Sequence, residues 1–256
     1  MTNRDIYEMI NETAPFETCE PWDNSGLLAG SMEGEVNGIL CALDISERVV
    51  EEAKRLGANL IVSHHPILFG GRKNLREDDT EGRMLADLIR SRISVISAHT
   101  NLDKSDEGVN KALADRLEIE NIHTIDEQGY VRMGEIREMT LKEFAEKAEK
   151  QLASRVRVYG QADKKIRRVC VCGGAGGEFA KACFAAGADA YVTGEMRYHD
   201  CLDLARAGFA TLQAGHDASE KFAVDALYEW LRQKMNAEGR VSVTRSANDS
   251  FGVAAV

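Results

Sequence analysis

The chain has 256 residues, a length that fits one large domain or two closely packed halves, and 44% of its residues are hydrophobic. Acidic residues number 42 and basic residues 32, and the formal net charge of −10 argues against a protein that coats nucleic acid by unspecific charge attraction. With 29% charged residues, 22 glycines and 3 prolines, the composition excludes disordered, collagen-like and mucin-like proteins.

Membrane and secretory signals are lacking in the sequence. No apolar run approaches the roughly 18 residues of a membrane-spanning helix, and the first residues lack the basic-then-apolar pattern of a signal peptide. We therefore expect a cytoplasmic protein that does not act at a membrane. The 6 cysteines are scattered, which favours reduced thiols over a disulfide framework. Cys170 and Cys172 have one residue between them, whereas zinc and redox pairs usually have two, so we interpret them as buried strand residues.

Hydrophobic periodicity predicts alternating helices and strands along most of the chain. A capped helix begins after Thr2 and ends before Pro15. The later elements, in chain order, are a strand at 39–43, a helix at 49–56, a strand at 59–63, a helix at 82–92, a strand at 93–97, a helix at 107–117, a strand–helix–strand unit at 130–159 and a strand at 168–172. This alternation predicts an α/β fold with mixed sheets flanked by helices.

Two stretches of the sequence resemble each other and suggest an internal duplication. Gly57-Ala58-Asn59 leads into an apolar strand that ends before His64, and Gly187-Ala188-Asp189, 130 residues later, leads into an apolar strand that ends before Gly194. A histidine and an acidic residue four positions on follow a strand in each half, His99 with Asp103 and His216 with Glu220. We predict a first αβ half at 1–129, a short connecting segment at 130–160 and a second αβ half at 161–256, with the two halves related by a pseudo-twofold axis.

Histidine is scarce, yet five of the 6 histidines follow predicted strands or begin the next helix. The carboxyl ends of strands are where ligand sites form in α/β folds. A lone histidine at a strand end is usually a satisfied polar residue, but that reading would require several coincidences here. Together with two acidic residues, these histidines form a donor set without thiolate that suits zinc, manganese, iron or cobalt. The set comprises His64, His65, His99, His199, His216, Asp103 and Glu220.

Other polar features have weaker links to function. His123 lies outside every motif, in a predicted loop, and is interpreted as a structural polar residue. Asp44 ends an apolar run, and a structural role and a functional role are both open for it. The glycine-rich residues 173–177 are placed where backbone N–H groups bind phosphate, but they match neither nucleotide motif, and a tight turn is favoured. The basic residues at 164–168 are expected on a solvated edge.

Several motifs, in order and over nearly the whole chain, resemble the GTP cyclohydrolase 1 type 2 homologue family, the Nif-three-like dinuclear metal-binding proteins. The motifs are Asp23-Asn24-Ser25-Gly26-Leu27, His64-His65-Pro66-Ile67-Leu68-Phe69, Ser97-Ala98-His99-Thr100-Asn101-Leu102-Asp103, Thr193-Gly194-Glu195 and Gly215-His216-x-x-Ser219-Glu220.

The resemblance implies two αβ halves around a two-metal site, in subunits that form a hexameric ring. It implies metal ligands at His64, His65, Asp103, His216 and Glu220, with His99, Glu195 and His199 lining the same pocket. The segment between the halves is too short for the domain that some members insert there, so no regulatory role tied to that domain is expected.

Three functions follow as hypotheses. The first is a hydrolase that uses two divalent metal ions on a small-molecule substrate, by resemblance a nucleotide whose ring is opened, with Glu195, His199 or His99 moving a proton. The second is a metal-binding chaperone or metal-insertion protein without turnover. The third, a ring acting on nucleic acid, is the least favoured because of the net charge.

Overall fold

A computed structural model describes residues 1–238 and 241–248 of the chain. Its helices are α1 (Asn3–Thr13), α2 (Glu47–Leu56), α3 (Thr80–Arg90), α4 (Thr100–Lys104), α5 (Val109–Arg116), α6 (Leu141–Leu152), α7 (Ala180–Ala185), α8 (Tyr198–Arg206) and α9 (His216–Glu238), with 3₁₀ turns at Phe16–Thr18 and Gly176–Phe179. Its strands are β1 (Gly26–Ala29), β2 (Gly38–Ala42), β3 (Leu60–Ser63), β4 (Ser94–Ser97), β5 (Glu120–Thr124), β6 (Arg132–Thr140), β7 (Arg157–Tyr159), β8 (Lys165–Cys172), β9 (Ala190–Thr193), β10 (Ala210–Gln213) and β11 (Ser242–Arg245).

The first of two compact units contains Met1–Leu102 and the described residues from Val224 onward. Its sheet has the strand order β1-β4-β3-β2-β11. Neighbouring strands are parallel except for β1, which pairs antiparallel with β4 at one edge. Strands β2, β3 and β4 are buried along their whole length, as expected for strands that are covered on both faces of the sheet. This burial explains why their sequences are mostly apolar. Helices α2 and α3 pack on this sheet through Val50, Ala53 and Leu88.

The second unit contains Asp103–Ala223. Its sheet has the order β5-β6-β8-β9-β10-β7, with β8, β9 and β10 parallel and the remaining pairs antiparallel. One apolar cluster includes Phe144 of α6, and a second includes Tyr191 of β9 and Phe209.

Helix boundaries follow from local chemistry. Thr2 and Asp5 form a reciprocal capping box at the start of α1, and Thr140 and Glu143 form another at the start of α6. Helix α2 ends at Gly57, whose φ of 69° is the left-handed conformation that glycine adopts without steric cost.

The mixed α/β fold with helix-flanked sheets is confirmed, and most predicted elements lie within a few residues of their expected positions. The predicted elements do not include four short ones, β1, α4, β5 and β11. His123 lies in β5 and not in a loop, a correction that arises because this strand is mostly exposed and lacks an apolar pattern. The residues Lys165, Arg167 and Arg168 lie within β8 and not before it.

The strands that precede His99 and His216 have equivalent neighbours. Strand β4 lies between parallel β3 and antiparallel β1, and β10 lies between parallel β9 and antiparallel β7. An origin by duplication, the pseudo-twofold axis and the predicted boundaries at 129/130 and 160/161 stay predictions. In the part of the chain that the structure describes, no helix has the length and apolarity needed to cross a membrane.

Candidate metal centre

Three histidines meet at one edge of the first unit's sheet. Strand β3 ends at Ser63 and continues into His64 and His65, and β4 ends at Ser97, two residues before His99. The two strands are parallel with Ser63 opposite Ser97, so their carboxyl ends lie side by side. The sheet register therefore places the three imidazoles together.

The imidazoles are close enough to share a ligand. Ring centroids are 4.9 Å apart for His64 and His65, 5.2 Å for His64 and His99, and 5.7 Å for His65 and His99. One ligand nitrogen of each ring lies within 4.8 Å of the others, so the group is able to hold a metal ion. His64 is fully buried, whereas His65 and His99 are partly exposed.

Each of these histidines is oriented through its Nδ1 atom. His64 Nδ1 lies 2.9 Å from the carbonyl oxygen of Ala98, His65 Nδ1 lies 2.8 Å from Asp44, and His99 Nδ1 lies 2.8 Å from Asp23. A carbonyl or carboxylate oxygen only accepts hydrogen bonds, so Nδ1 carries the proton and the lone pair of the neutral ring is on Nε2. Metal-binding histidines in proteins commonly have this arrangement.

Asp44 and Asp23 are acceptors that the sequence analysis did not assign to the site. Asp44 follows β2, and because Ala42 lies opposite Ser63, continuing this register places Asp44 next to His65. Asp23 precedes β1, whose Gly26 lies opposite Ser97 of β4, so the antiparallel pair brings it to His99. The sequence signal for Asp44 is its place after a strand, and that for Asp23 is its place in the first family motif, although only the β1–β4 pairing identifies His99 as its partner.

The buried carboxylate of Asp23 is held ionised. Burial raises its pKa, but hydrogen bonds from His99, Thr100 and Ser25 outweigh burial and keep the pKa well below its usual range. An ionised Asp23 keeps the proton of His99 on Nδ1.

Two exposed aromatic rings stand beside His99. Trp22 and Phe69 contact each other edge to face with centroids 5.9 Å apart, and their centroids lie 6.3 Å and 5.8 Å from that of His99. Asn24 fixes the loop that contains Phe69 by donating a hydrogen bond to the Leu68 carbonyl oxygen. The histidine cluster therefore has an aromatic rim.

The second unit holds a separate group of ionisable side chains at the start of α9. His216 Nε2 lies 3.2 Å from Glu220, one helical turn on, and His216 Nδ1 lies 3.4 Å from Glu195. Glu220 is buried, whereas Glu195 is exposed at the end of the β9 strand. Glu195 thus lies next to the Nδ1 atom of His216, just as Asp44 lies next to the Nδ1 atom of His65.

Asp103 and Glu220 lie in the same neighbourhood of the second unit. Burial raises the pKa of the Cys172 thiol well above its usual value, and the nearby carboxylates of Asp103 and Glu220 raise it further. A buried neutral thiol is a poor metal ligand, because the thiolate is the binding form. The interpretation of Cys170 and Cys172 as buried strand residues is confirmed.

The glycine-rich loop after β8 is packed against this group. Gly173 N–H donates to Asn110 Oδ1 at 2.7 Å and Gly174 N–H donates to Ser219 Oγ at 3.0 Å. These two N–H groups are therefore already used within the protein, which favours the predicted tight turn at this point of the chain. A Cβ atom on Gly174 would lie 2.2 Å from Glu220 Oε1, so the glycine permits the approach of that carboxylate.

The two remaining histidines, the predicted site residue His199 and the predicted structural residue His123, have different surroundings. His199 lies exposed in the first turn of α8, with its ring 5.3 Å from that of Tyr198. His123 is exposed on β5, where its Nδ1 lies 3.5 Å from the carbonyl oxygen of Asn121.

The fold and these side chains define an α/β protein with two mixed sheets and a histidine cluster able to hold a metal ion. The model of one family, Duf34/NIF3 (NGG1p interacting factor 3), matches residues 1–250. The chain belongs to the Duf34/NIF3 family, and the resemblance inferred from its motifs is confirmed.

Relatives cover most of the chain. A GTP cyclohydrolase 1 type 2 homolog of Clostridium perfringens is 32% identical, over 98% of this chain and 99% of its own length. A protein of the same description from Streptomyces coelicolor is 34% identical, over 84% of this chain and 80% of its own length. The crystal structure of the Staphylococcus aureus hypothetical protein SA1388 is similar to the chain with a TM-score of 0.94 and 30% identity, covering 100% of this chain and 99% of that one.

Proposed function

We propose that this protein is a hydrolase that uses two divalent metal ions, bound by His64, His65, Asp103, His216 and Glu220. The observation that carries the proposal is the common orientation of His64, His65 and His99, each with Nδ1 hydrogen-bonded to an oxygen. Fixing a ring in this way raises its basicity and directs Nε2 toward a ligand. A histidine with a purely structural role would need no such shared arrangement with its neighbours.

The donor set fits transition-metal ions. Imidazoles with carboxylates and no available thiolate suit zinc, manganese, iron or cobalt. Bound ions of this kind would supply a water of lowered pKa and would polarise the bond under attack.

The chain's own residues have three roles in this proposal. His64, His65 and His216 offer imidazole nitrogens, and Asp103 and Glu220 offer carboxylate oxygens. In this proposal His99, which is hydrogen-bonded to ionised Asp23, and His199, which is exposed at the start of α8, accept or donate a proton. The exposed rings of Trp22 and Phe69 offer an apolar surface to a flat substrate.

Elemental analysis after reconstitution tests the metal content. Protein stripped with chelator and reloaded separately with zinc, manganese, iron and cobalt is expected to hold up to two ions per chain. His64→Ala and Glu220→Ala are each expected to lose at least one ion. His123→Ala, which removes an exposed histidine on β5, is the matched control and keeps the full content.

No bound metal in the wild-type protein after reconstitution would overturn the proposal. Equal loss from His123→Ala would show unspecific binding to histidine. Metal bound with no turnover of any substrate would favour the metal-chaperone function.

The expected substrate is a nucleotide, because relatives of this chain are described as GTP cyclohydrolase 1 type 2 homologs. Screening the metal-loaded protein against GTP, other nucleotides, phosphate esters and cyclic amides identifies the bond that is cleaved. The variant His99→Ala in the same screen separates turnover from metal binding.

A hexameric ring is proposed on the resemblance to the family alone. Size-exclusion chromatography with light scattering is expected to give six times the chain mass of 28.2 kDa. A monomer would contradict the ring and leave the metal proposal in place.

A further inference from the structure

Two exposed arginines of the second unit have no acidic partner in the part of the chain that the structure describes. Arg157 lies in β7 and Arg197 directly precedes α8, and both are exposed. Within residues 1–238 and 241–248, neither guanidinium has a carboxylate within 4.0 Å or donates a hydrogen bond. By contrast, Arg206 at the other end of α8 is paired with Asp203. The two unpaired cations remain available to an anion.

Sheet register brings Arg157 to the start of α8. Arg157 lies opposite Gln213 of β10, so their side chains are neighbours on the same face of the sheet. Gln213 Nε2 donates to the carbonyl oxygen of Met196 at 2.8 Å, and Arg197 is the next residue. The long side chains of Arg157 and Arg197 therefore begin from adjoining parts of one surface.

Aromatic rings complete this surface. Tyr159, two residues after Arg157, shares its face of the sheet, and its ring lies 6.1 Å from that of Tyr198 in α8. Tyr198 is 58% exposed and also contacts the ring of His199. An exposed tyrosine beside two arginines is a common combination for binding a flat ring with an attached phosphate.

The surface adjoins the proposed ligand His216. Gly215 N–H donates to the Gly194 carbonyl oxygen at 3.1 Å, which aligns residues 194–197 with the chain that enters α9. Glu195, two residues before Arg197, reaches His216 Nδ1 at 3.4 Å. An anion bound by the two arginines would thus lie close to His216, which is one of the proposed metal ligands.

We propose that Arg157 and Arg197 bind the phosphate of a nucleoside phosphate and that Tyr198 packs against its ring or sugar. This assignment rests on the proposed function for its role in turnover, but binding itself does not require a metal. Guanidinium groups bind phosphate oxygens through paired, charge-assisted hydrogen bonds. The net charge of −10 opposes an extended polyanion, so a small phosphorylated ligand fits better than a nucleic acid.

Calorimetric titration of metal-free protein with GTP, GMP, guanosine and inorganic phosphate tests the proposal. We expect GMP and GTP to bind at least tenfold more tightly than guanosine. Arg157→Gln and Arg197→Gln should each weaken GMP binding about tenfold and leave guanosine binding unchanged. Tyr198→Ala should weaken the binding of GMP and of guanosine by the same factor and leave the affinity for inorganic phosphate unchanged.

Arg206→Gln is the matched control, because it removes the same charge from the same helix at its other end. It should bind GMP like the wild type, and circular dichroism should show all variants folded. Unchanged GMP affinity in both arginine variants, or an equal loss in Arg206→Gln, would overturn the proposal. Tighter binding of a single-stranded RNA than of GTP would also overturn it, in favour of a nucleic-acid surface.

The failure of this proposal is distinguishable from the failure of the proposed function. Arginine-dependent GMP binding by a protein that holds no metal would support the phosphate site and contradict the hydrolase. A content of two metal ions with turnover of a substrate, together with GMP binding that does not depend on the arginines, would do the reverse.

Discussion

Asp23 stabilises the loop around His99 with one buried carboxylate. Its oxygens accept hydrogen bonds from His99 Nδ1 at 2.8 Å, Thr100 Oγ1 at 2.6 Å and Ser25 Oγ at 2.8 Å. Because these bonds hold the pKa of Asp23 below its unfolded value, they stabilise the fold fully only above the usual aspartate pKa. The stabilisation is lost as the pH falls from about 4 toward the folded-state pKa.

Asp23→Asn is therefore expected to lower the free energy of unfolding by about 1–3 kcal/mol at pH 7. The difference from the wild type should shrink as the pH falls below about 4. Denaturant unfolding at pH 7, 5 and 3.5 measures it. Asp78→Asn, which removes an exposed ion pair with Arg76, is the control and should change stability by less than about 0.5 kcal/mol. A difference for Asp23→Asn that is independent of pH would contradict the role of ionisation.

Glu195 and His199 were grouped as proton-transfer residues, and the structure gives them different surroundings. Glu195 lies 3.4 Å from His216 Nδ1, the nitrogen through which a ligand histidine is oriented. His199 is exposed on α8. Orientation of His216 and proton transfer are thus both open for Glu195, whereas proton transfer is the role proposed for His199.

His199→Ala is expected to keep full metal occupancy and lower turnover by about 10²–10⁴. If Glu195 orients His216, Glu195→Gln should weaken metal affinity about 10–100-fold. If Glu195 moves a proton, the same variant should keep its metal and lose turnover like His199→Ala. Metal titration and rate measurement on the same preparations decide between the roles, and unchanged turnover in both variants would exclude both from catalysis.

At the level of the elements, the turn after β8 determines how closely Glu220 approaches the backbone. Gly174 has a φ of 58°, and an added Cβ would come within 2.2 Å of Glu220 Oε1. Alanine at position 174 would therefore force either the Glu220 carboxylate or the backbone of the turn to move. Gly57 has a similar φ of 69°, and no atom lies within 4 Å of the position that a Cβ would take. Alanine at position 57 therefore causes the same backbone strain as alanine at position 174 but no steric clash.

Gly174→Ala is thus expected to weaken metal affinity by at least tenfold, whereas Gly57→Ala keeps it. Both variants should lose about 1 kcal/mol of stability from the left-handed backbone. Isothermal titration with zinc, together with thermal unfolding, separates the two effects. Equal metal affinity in the two variants would show that Glu220 is not constrained by the turn.

On the scale of the molecule, the chain returns from α9 to pair with the first unit's sheet. Strand β11 adds to β2, and Glu52 of α2 then accepts hydrogen bonds from Ser246 Oγ at 2.6 Å and Asn248 Nδ2 at 2.9 Å. Burial raises the pKa of Glu52, but these hydrogen bonds, with one from the Ala247 N–H, outweigh it and lower the pKa. The buried carboxylate of Glu52 thus links residues 246–248 to α2, which lies nearly 200 positions earlier in the sequence.

Glu52→Ala should lower the free energy of unfolding by about 2–3 kcal/mol, because it leaves buried donors without their acceptor. The control is Glu51→Ala, the neighbouring exposed residue paired with Lys54, which should cost less than about 1 kcal/mol. Denaturant unfolding measures both, and hydrogen exchange of the β11 amides should increase only in Glu52→Ala. Equal stability of the two variants would contradict the anchoring role.

The sequence by itself determined most of the helices and strands and the residue types of the site. Apolar runs such as residues 59–63 predict buried strands because neighbouring strands and helices cover both of their faces, and caps such as Thr2 act over three residues. The family motifs contained His64, His65 and His99, which the structure places together.

Only the tertiary structure decided which groups accept hydrogen bonds from these histidines. Asp23 and Asp44 reach His99 and His65 because β1 pairs with β4 and β2 pairs with β3, and strand order is set by packing across the sheet, not by local pattern. Strand β5 escaped prediction because it is largely exposed, and β11 because it pairs with a strand some 200 residues earlier. Arg157 likewise comes near the start of α8 only through the register of β7 with β10, in which it lies opposite Gln213, a residue 56 positions later in the sequence.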